Sequence, residues 1–148
     1  MQHTTRQSGF SLIEIMVVVV IIGLLASIVA PMVLDRAEEA RINKVKADFK
    51  SIQTALKLYQ LDNYVFPSSE HGLKALMTEP TLSPVPRNYR AGGYLDQVPM
   101  DPWGSPYLYI SPGEARPYDI YTLGADGVSG GTGPAADISV WDQDLPEQ

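Results

Sequence analysis

Residues 10–34 read FSLIEIMVVVVIIGLLASIVAPMVL, an apolar run in which Glu14 is the only charged side chain. At about 1.5 Å per residue, a helix of this length crosses a hydrocarbon layer of about 30 Å, so the run predicts a membrane-spanning helix. An acid at membrane depth costs about 2.5–3.5 kcal/mol on insertion scales. Glu14 therefore needs either a partner or a position near the lipid headgroups, and its place in the sequence leaves both interpretations open.

A short polar segment, residues 1–9, precedes the apolar run. A secretory signal peptide has its cleavage site after its apolar part, whereas this apolar run is too long and too well continued to be discarded. We therefore predict that residues 1–9 are a leader that is removed between Gly9 and Phe10. Cleavage would create an amino group on Phe10, one helical turn from Glu14, where it can neutralise the carboxylate.

The helical pattern continues beyond the apolar run. Neither Gly nor Pro interrupts residues 32–64, and apolar side chains recur there at spacings of three and four, as in a helix lying on a small domain. These side chains are Ile42, Val45, Phe49, Ile52, Leu56 and Tyr59. We predict one helix from Phe10 to about Asn63, apolar all round in its first half and on one side in its second.

Pro31 lies inside the predicted helix. Proline removes a backbone donor and clashes with the carbonyl four residues back, so Pro31 is a candidate flex point. The alternative is an ordinary membrane-helix proline without a special role.

Charged residues form an acidic and then a basic block on the second half of the helix. Asp35, Glu38 and Glu39 make the first block, and Arg41, Lys44, Lys46 and Lys50 make the second. Opposite blocks of neighbouring copies would fix an axial stagger. Pairing within the helix, as between Lys44 and Asp48, is the other open interpretation.

Composition limits the classes of function. The chain has 148 residues, a formal net charge of −6 and no cysteine, so residues 35–148 have room for one small core without disulfides. The negative charge argues against a nucleic-acid partner. We expect no enzyme, because His71 is the only histidine after the leader and no cysteine or phosphate-binding glycine motif is present.

The flanks of the apolar run predict its orientation. Arg6 precedes the run and acidic residues follow it, so the positive-inside bias keeps the N-terminus cytoplasmic and sends the domain across the membrane. From residue 95 onward the sequence has nine acidic side chains and a single basic one, Arg116. Such a surface suits an exposed soluble domain or attracts cations.

Beyond residue 64 the chain is rich in proline and glycine. We predict a long ordered loop with a short helix at residues 70–78, followed by strands at residues 107–110 and 118–123 in a sheet of two to four short antiparallel strands. The motif DPWG at residues 101–104 predicts a turn that holds Trp103 against the domain. The predicted fold class is α+β.

The stretch LGADGVSGGTGPAADISVWD at residues 123–142 raises the question of calcium. Calcium takes six to eight oxygens, and glycines let a loop turn its carbonyls inward. Asp126 and Asp137 are the available carboxylates. A tight Asp-Gly turn with a solvated Asp137 is the alternative, and the acid spacing of an EF-hand is missing.

Two groups of residues carry a family resemblance. SGFSLIEIMVVVVIIGLLA resembles the type IV pilin-like prepilins, with Gly, Phe and then Glu four residues later in an apolar helix. DPWGSPY, followed by YDIYTLGADG, a Gly-Gly pair, ADI and a tryptophan, is similar to the major pseudopilins, the G subunits, of bacterial type II secretion systems. The resemblance covers nearly the whole chain after the leader.

The resemblance implies a pilin-like fold, with a leader at residues 1–9, a transmembrane and filament-core helix at residues 10–34, and a periplasmic domain at residues 35–148. It implies that a prepilin peptidase cuts after Gly9 and N-methylates Phe10, and that Glu14 pairs with the Phe10 amine of a neighbouring subunit. The subunits would leave the inner membrane and form a homopolymeric pseudopilus that exports folded proteins. The implied partners are minor pseudopilins, an inner-membrane assembly platform and an outer-membrane secretin channel.

The resemblance also implies a structural calcium ion, held by carboxylates and main-chain oxygens. The sequence departs from the family pattern at residues 132–135, where Gly133 and Ala135 bring no extra acid. Asp126 and Asp137, with the carbonyls of Leu123 and Val128, therefore predict a weak site or a loop closed by its own hydrogen bonds.

Two rival functions remain open. A type IV pilus major pilin shares the leader, but it usually closes its C-terminal region with a disulfide, which a cysteine-free chain cannot form. A membrane-tethered periplasmic binding domain would need no cleavage at Gly9.

Overall fold

The structure, a computed structural model, describes residues 9–142, except for the side chains of Pro31 and Asp35. Helix α1 spans Leu12–Asn63 and is followed by a 3₁₀ helix at Leu73–Leu76. The strands are β1 (Leu108–Ile110), β2 (Asp119–Thr122) and β3 (Ile138–Ser139), with a second 3₁₀ helix at Gly133–Ala135 before β3. The leader prediction, apart from Gly9, falls outside the described residues.

Contacts divide the chain into two compact units between Glu39 and Ala40. The first contains the apolar part of α1, where an 18-residue window has a mean hydropathy of 3.0 and none of it is buried. The helix is long and apolar enough to cross a membrane, as the sequence predicts. It begins at Leu12 rather than at Phe10 and ends at Asn63.

The second unit has the predicted helical stripe at its core. Val45, Phe49, Ile52 and Leu56 are fully buried. Tyr59 is nearly so, and its ring centroid lies 5.3 Å from that of Tyr94. The spacing in the sequence therefore identified the core face of α1.

The predicted short helix at residues 70–78 is instead one turn of 3₁₀ helix at Leu73–Leu76. It cannot begin earlier because Gly72 has φ 59°, and it ends where the amide of Met77 bonds to the carbonyl of Lys74. So few residues cannot offset the cost of an α-helical nucleus. Its apolar side chains Leu73 and Leu76 are nonetheless buried, as the loop's composition predicts.

The sheet is antiparallel with the strand order β1-β2-β3. Tyr109 of β1 pairs with Ile120, and Tyr121 of β2 pairs with Ser139 of β3. The first two strands are shorter than predicted, because prolines at positions 106, 112 and 117 flank them and lack the backbone donor that a ladder needs. Ile120 and Thr122 turn toward the core and are buried.

Candidate functional site

Ser11 and Glu14 cap the N-terminus of α1 reciprocally. The backbone amide of Ser11 donates to Glu14 Oε2 at 3.4 Å, and the amide of Glu14 donates to Ser11 Oγ at 3.2 Å. This arrangement is a capping box, which satisfies two amides that a helix start leaves without partners. The motif S-x-x-E stands in the sequence at residues 11–14 and could have predicted this cap, which is neither the subunit pairing nor the headgroup position considered for Glu14.

Gly9 and Phe10 precede this cap and are exposed, with 81% of the surface of Phe10 accessible. The structure thus places both cleavage residues directly before the first turn of α1. Cleavage, N-methylation and the pairing of Phe10 with Glu14 stay predictions. So does the flex point at Pro31, where the backbone of α1 is continuous.

Asp101 organises the DPWG turn from a buried position, with 4% of its surface accessible. Its Oδ1 accepts hydrogen bonds from the amides of Trp103 at 3.0 Å and Ser105 at 2.7 Å. Its Oδ2 accepts one from Thr122 Oγ1 at 2.6 Å. A buried carboxylate is tolerated when its oxygens are bonded in this way.

Thr122 joins this turn to the glycine-rich loop that follows β2. Its hydroxyl donates to Asp101 and accepts a hydrogen bond from the amide of Gly124 at 3.3 Å. The DPWG turn and the YDIYTLGADG stretch, both parts of the C-terminal group that carries the family resemblance, therefore meet at one buried hydroxyl. No pattern in the sequence predicts this contact, because its partners are 21 residues apart.

The glycine-rich loop, residues 123–137, closes on itself through its carboxylates. Asp126 Oδ1 accepts a hydrogen bond from the amide of Val128 at 3.0 Å. Asp137 Oδ2 accepts one from the amide of Gly130 at 2.9 Å and one from the hydroxyl of Ser129 at 3.3 Å. Both carboxylates of the predicted calcium site are thus bonded to neighbouring residues of the loop.

The predicted calcium site has few side-chain ligands. Across residues 9–142, no group of three or more His, Cys, Asp or Glu side chains is placed to hold a metal ion. Leu123 and Val128 can offer carbonyl oxygens. One oxygen of each carboxylate already accepts hydrogen bonds from the loop. Because calcium takes six to eight oxygens, we expect weak binding at most.

Part of the charge on α1 pairs within the chain. Lys44 donates to Asp48 and to the carbonyl of Met100 at 2.6 Å, while Arg36 donates to Glu39 at 2.8 Å. The pairing of Lys44 with Asp48 matches the intrahelical interpretation of the basic block. The stagger hypothesis stays a prediction, and the side chain of Asp35 lies outside the described part.

Asp48 also accepts a hydrogen bond from the hydroxyl of Tyr107 at 2.7 Å, which ties α1 to the segment before β1. Burial, together with the nearby Asp48 carboxylate, raises the pKa of Tyr107 above its usual value. The phenol therefore stays neutral and serves as a donor.

Trp141 connects the segment after β3 to the start of β2 through hydrogen bonds. Its indole Nε1 donates to Asp119 Oδ1 at 2.8 Å and to the carbonyl of Tyr118 at 3.1 Å. The guanidinium of Arg116 lies 4.5 Å from the centre of the indole ring, within range of a cation–π contact.

The chain is similar to known proteins over most of its length. A family model described as type II secretion system protein G matches residues 32–141, and one described as the prokaryotic N-terminal methylation motif matches residues 4–30. Type II secretion system core protein G of Pseudomonas aeruginosa is 52% identical over 137 residues, covering 93% of this chain and 96% of the relative. The protein of the same name from Vibrio cholerae is 50% identical and covers 95% and 96%.

A solved structure is also similar to this chain. The crystal structure of the major pseudopilin from the type 2 secretion system of enterohaemorrhagic Escherichia coli has a TM-score of 0.66 and 38% sequence identity. The match covers 74% of this chain and 93% of that one.

Proposed function

Because the chain belongs to the type II secretion system protein G family, we propose that it is the repeating subunit of a periplasmic pseudopilus that drives export of folded proteins. One observation carries this proposal. The family's globular domain continues from an apolar, membrane-length helix with a single acid, Glu14, in its first turn. Such a helix needs lipid or other copies of itself around it, and bundled copies make a filament core.

The proposed N-terminal chemistry follows the methylation motif at residues 4–30. A prepilin peptidase cuts between Gly9 and Phe10 and N-methylates Phe10. The amine of Phe10 in an incoming subunit then pairs with the Glu14 carboxylate of a neighbour, which offsets the cost of an acid in an apolar bundle. Pro31 lets α1 loosen when the bundle requires it, and the charge blocks of α1 help to set the stagger.

The proposed location is the inner membrane, with the N-terminus in the cytoplasm and the globular domain in the periplasm. The excess of positive charge before the apolar run supports this orientation. The proposed partners are minor pseudopilins, an inner-membrane assembly platform and an outer-membrane secretin channel. The role is structural rather than catalytic, in keeping with relatives that are named as secretion-system components.

For calcium, we propose a weak site at Leu123, Asp126, Val128 and Asp137, or none, with the loop held by its own hydrogen bonds. A site with a Kd of about 1 mM adds only about 0.4 kcal/mol to stability at an equal calcium concentration. Thermal unfolding of the protein in detergent should therefore be the same in EDTA and in millimolar calcium. Submicromolar binding in isothermal titration would overturn this part of the proposal.

Mass spectrometry and secretion together test the main proposal. The protein extracted from membranes should begin at N-methylated Phe10, and a strain without the gene should regain secretion when the gene is restored. Chemical cross-linking in cells should give a ladder of multimers. A chain that keeps residues 1–9 and cross-links only as a monomer would instead indicate a membrane-tethered binding domain, and long surface fibres at normal expression would indicate a type IV pilus.

A further inference from the structure

One exposed side of α1 in the globular unit carries three lysines. Lys46, Lys50 and Lys57 are four and seven residues apart, so at about 100° per residue they project within about 40° of one another. All three are exposed, and Leu61, 74% exposed, continues the same side toward the end of the helix. We call these four residues the lysine face.

The three ammonium groups have no hydrogen-bond or ion-pair partner in the part of the chain that the structure describes. Lys44 differs, since it is held by Asp48 and the carbonyl of Met100. Lys46 and Lys50, four residues apart on a helix, also repel each other. In the single subunit the lysine face therefore has a small electrostatic cost, which a negatively charged partner would remove.

Among residues 95–142, most carboxylates already accept hydrogen bonds within their own domain. Those that accept hydrogen bonds are Asp101, Asp119, Asp126, Asp137 and Asp142. Among residues 95–142, Asp96 and Glu114 are the two acids whose carboxylates take part in no hydrogen bond or ion pair. Both are exposed.

Asp96 is the better placed of the two to meet a partner. The amides of Tyr94 and Leu95, just before it, donate to the carbonyl of Leu76 at 2.7 and 3.0 Å, so its backbone is fixed on the surface. The sequence has no basic residue between Arg90 and Arg116, so no cation adjoins Asp96 along the chain. Glu114, by contrast, has Arg116 two residues away.

We propose that the lysine face of one copy of this chain docks against Asp96 of a neighbouring copy in the filament. This inference rests on the proposed function, because it needs copies that stack. In a filament, each copy would use its lysine face toward one neighbour and its Asp96 toward the next, a heterologous contact that repeats from copy to copy along an open helical assembly. Charge complementarity fixes the register, and Leu61 supplies an apolar contact at one end.

Disulfide trapping tests the contact directly, because the natural chain has no cysteine. Asp96→Cys is combined in turn with Lys46→Cys, Lys50→Cys and Lys57→Cys in the full-length protein, expressed in the secreting bacterium and oxidised. At least one pair should give a ladder of disulfide-linked multimers. The matched control replaces Asp96→Cys by Glu114→Cys, which should give at least about tenfold less product.

Charge exchange provides a second readout. Asp96→Lys should lower secretion about tenfold, since two like charges replace an attractive pair, whereas the neutral Asp96→Asn should have a smaller effect. The lysine that forms the cross-link is then replaced by Glu. This substitution alone should lower secretion, and its combination with Asp96→Lys should restore secretion. The proposal would be overturned if none of the three pairs gave a ladder. It would also be overturned if lysine reversals lowered secretion while Asp96→Lys did not, and that result would indicate that the lysine face binds an anionic lipid surface.

A reporter in the apolar part of α1 separates this inference from the proposed function. Ile22→Cys should form disulfide-linked dimers whenever the apolar helices bundle. Cross-linking of Ile22→Cys without any cross-linking of the lysine face would overturn this inference alone. Loss of both signals in a strain that still secretes would overturn the proposed function as well.

Discussion

At the scale of single residues, Glu14 has a structural partner before any assembly takes place. Its carboxylate bonds to the amide of Ser11 within its own helix. Removing the side chain would therefore disturb the helix start and the proposed subunit pairing together. A useful substitution must separate the hydrogen bond from the charge.

Glu14→Gln makes this separation, because glutamine also completes a capping box but carries no charge. We expect α1 to keep its helical content by circular dichroism in detergent, while secretion and multimer cross-linking are lost. The complementary variant Ser11→Ala removes the hydroxyl that caps α1, at a cost of about 0.5–2 kcal/mol, but keeps the acid. It should still secrete. Normal secretion by Glu14→Gln would contradict the proposed role of the charge.

Thr122 is the residue where the DPWG turn and the glycine-rich loop meet. Thr122→Val keeps the shape of the side chain but leaves Asp101 Oδ2 without its donor. We expect the free energy of unfolding to fall by about 1–3 kcal/mol, the usual cost of an unpaired buried polar group. Urea unfolding of the protein in detergent, followed by tryptophan fluorescence, measures it. Thr54→Val on the exposed side of α1 is the control and should change stability by less than about 1 kcal/mol.

At the scale of elements, the glycine-rich loop depends on close backbone approach at one position. Gly124 has φ 68°, and a Cβ built there would lie 2.8 Å from the carbonyl oxygen of Ala136. Gly127 has nearly the same φ, 66°, but a Cβ there would meet nothing within 4 Å. Alanine at Gly127 would therefore introduce backbone strain alone, whereas alanine at Gly124 would introduce both backbone strain and a steric clash.

We expect Gly127→Ala to cost about 1 kcal/mol through the left-handed backbone alone. Gly124→Ala adds the clash and should cost clearly more, with a lower midpoint of thermal unfolding and less protein in cells. Equal stabilities of the two variants would show that the loop can move aside at Gly124.

The same scale shows which elements the sequence could predict. The core face of α1 follows from spacing alone, because a helix repeats its environment every three to four residues. The strands are two to four residues long, and prolines 106, 112 and 117 lie just outside β1 and before β2, so alternation over residues 107–110 and 118–123 overstated them. The 3₁₀ helix at Leu73–Leu76 carries the same apolar signal as an α-helix, and only the φ of Gly72 distinguishes the two.

At the scale of the whole molecule, the contacts that join distant segments were beyond the sequence. Asp48 with Tyr107 and Asp101 with Thr122 connect residues 59 and 21 positions apart. Hydropathy and periodicity describe one element at a time, and neither specifies which polar groups will meet across the core. The lysine pattern on α1 was visible as a basic block, but only the structure separated Lys44, which is paired, from Lys46 and Lys50, which have no partner within residues 9–142.

The partly buried Tyr109 makes the stability of the domain sensitive to high pH. Burial raises the pKa of Tyr109 to about 12, and its hydroxyl donates to the carbonyl of Pro67 at 2.8 Å. In the unfolded chain a tyrosine has a pKa near 10. Between about pH 10 and 12 the unfolded chain loses a proton that the folded one keeps, so the free energy of unfolding should fall as pH rises through this window.

Below about pH 10 this contribution is fully present, and above about pH 12 it is lost. Tyr109→Phe should flatten the fall in stability across the window, measured as urea midpoints at a series of pH values. Tyr64→Phe is the control, because Tyr64 is 82% exposed. This variant should leave the pH dependence of the urea midpoint unchanged. An unchanged slope in Tyr109→Phe would assign alkaline unfolding to other groups.

The fastening of Trp141 onto β2 also gives the subunit its own optical reporter. The indole is in contact with a guanidinium, a carboxylate and the ring of Tyr118, whose centroid is 5.3 Å away, so its emission depends on all three neighbours. Any event that lifts the last strand from the sheet would expose the indole to water and shift its spectrum to longer wavelength. With Trp103 replaced by phenylalanine, polymerisation could be followed by the intrinsic fluorescence of Trp141, without an attached dye.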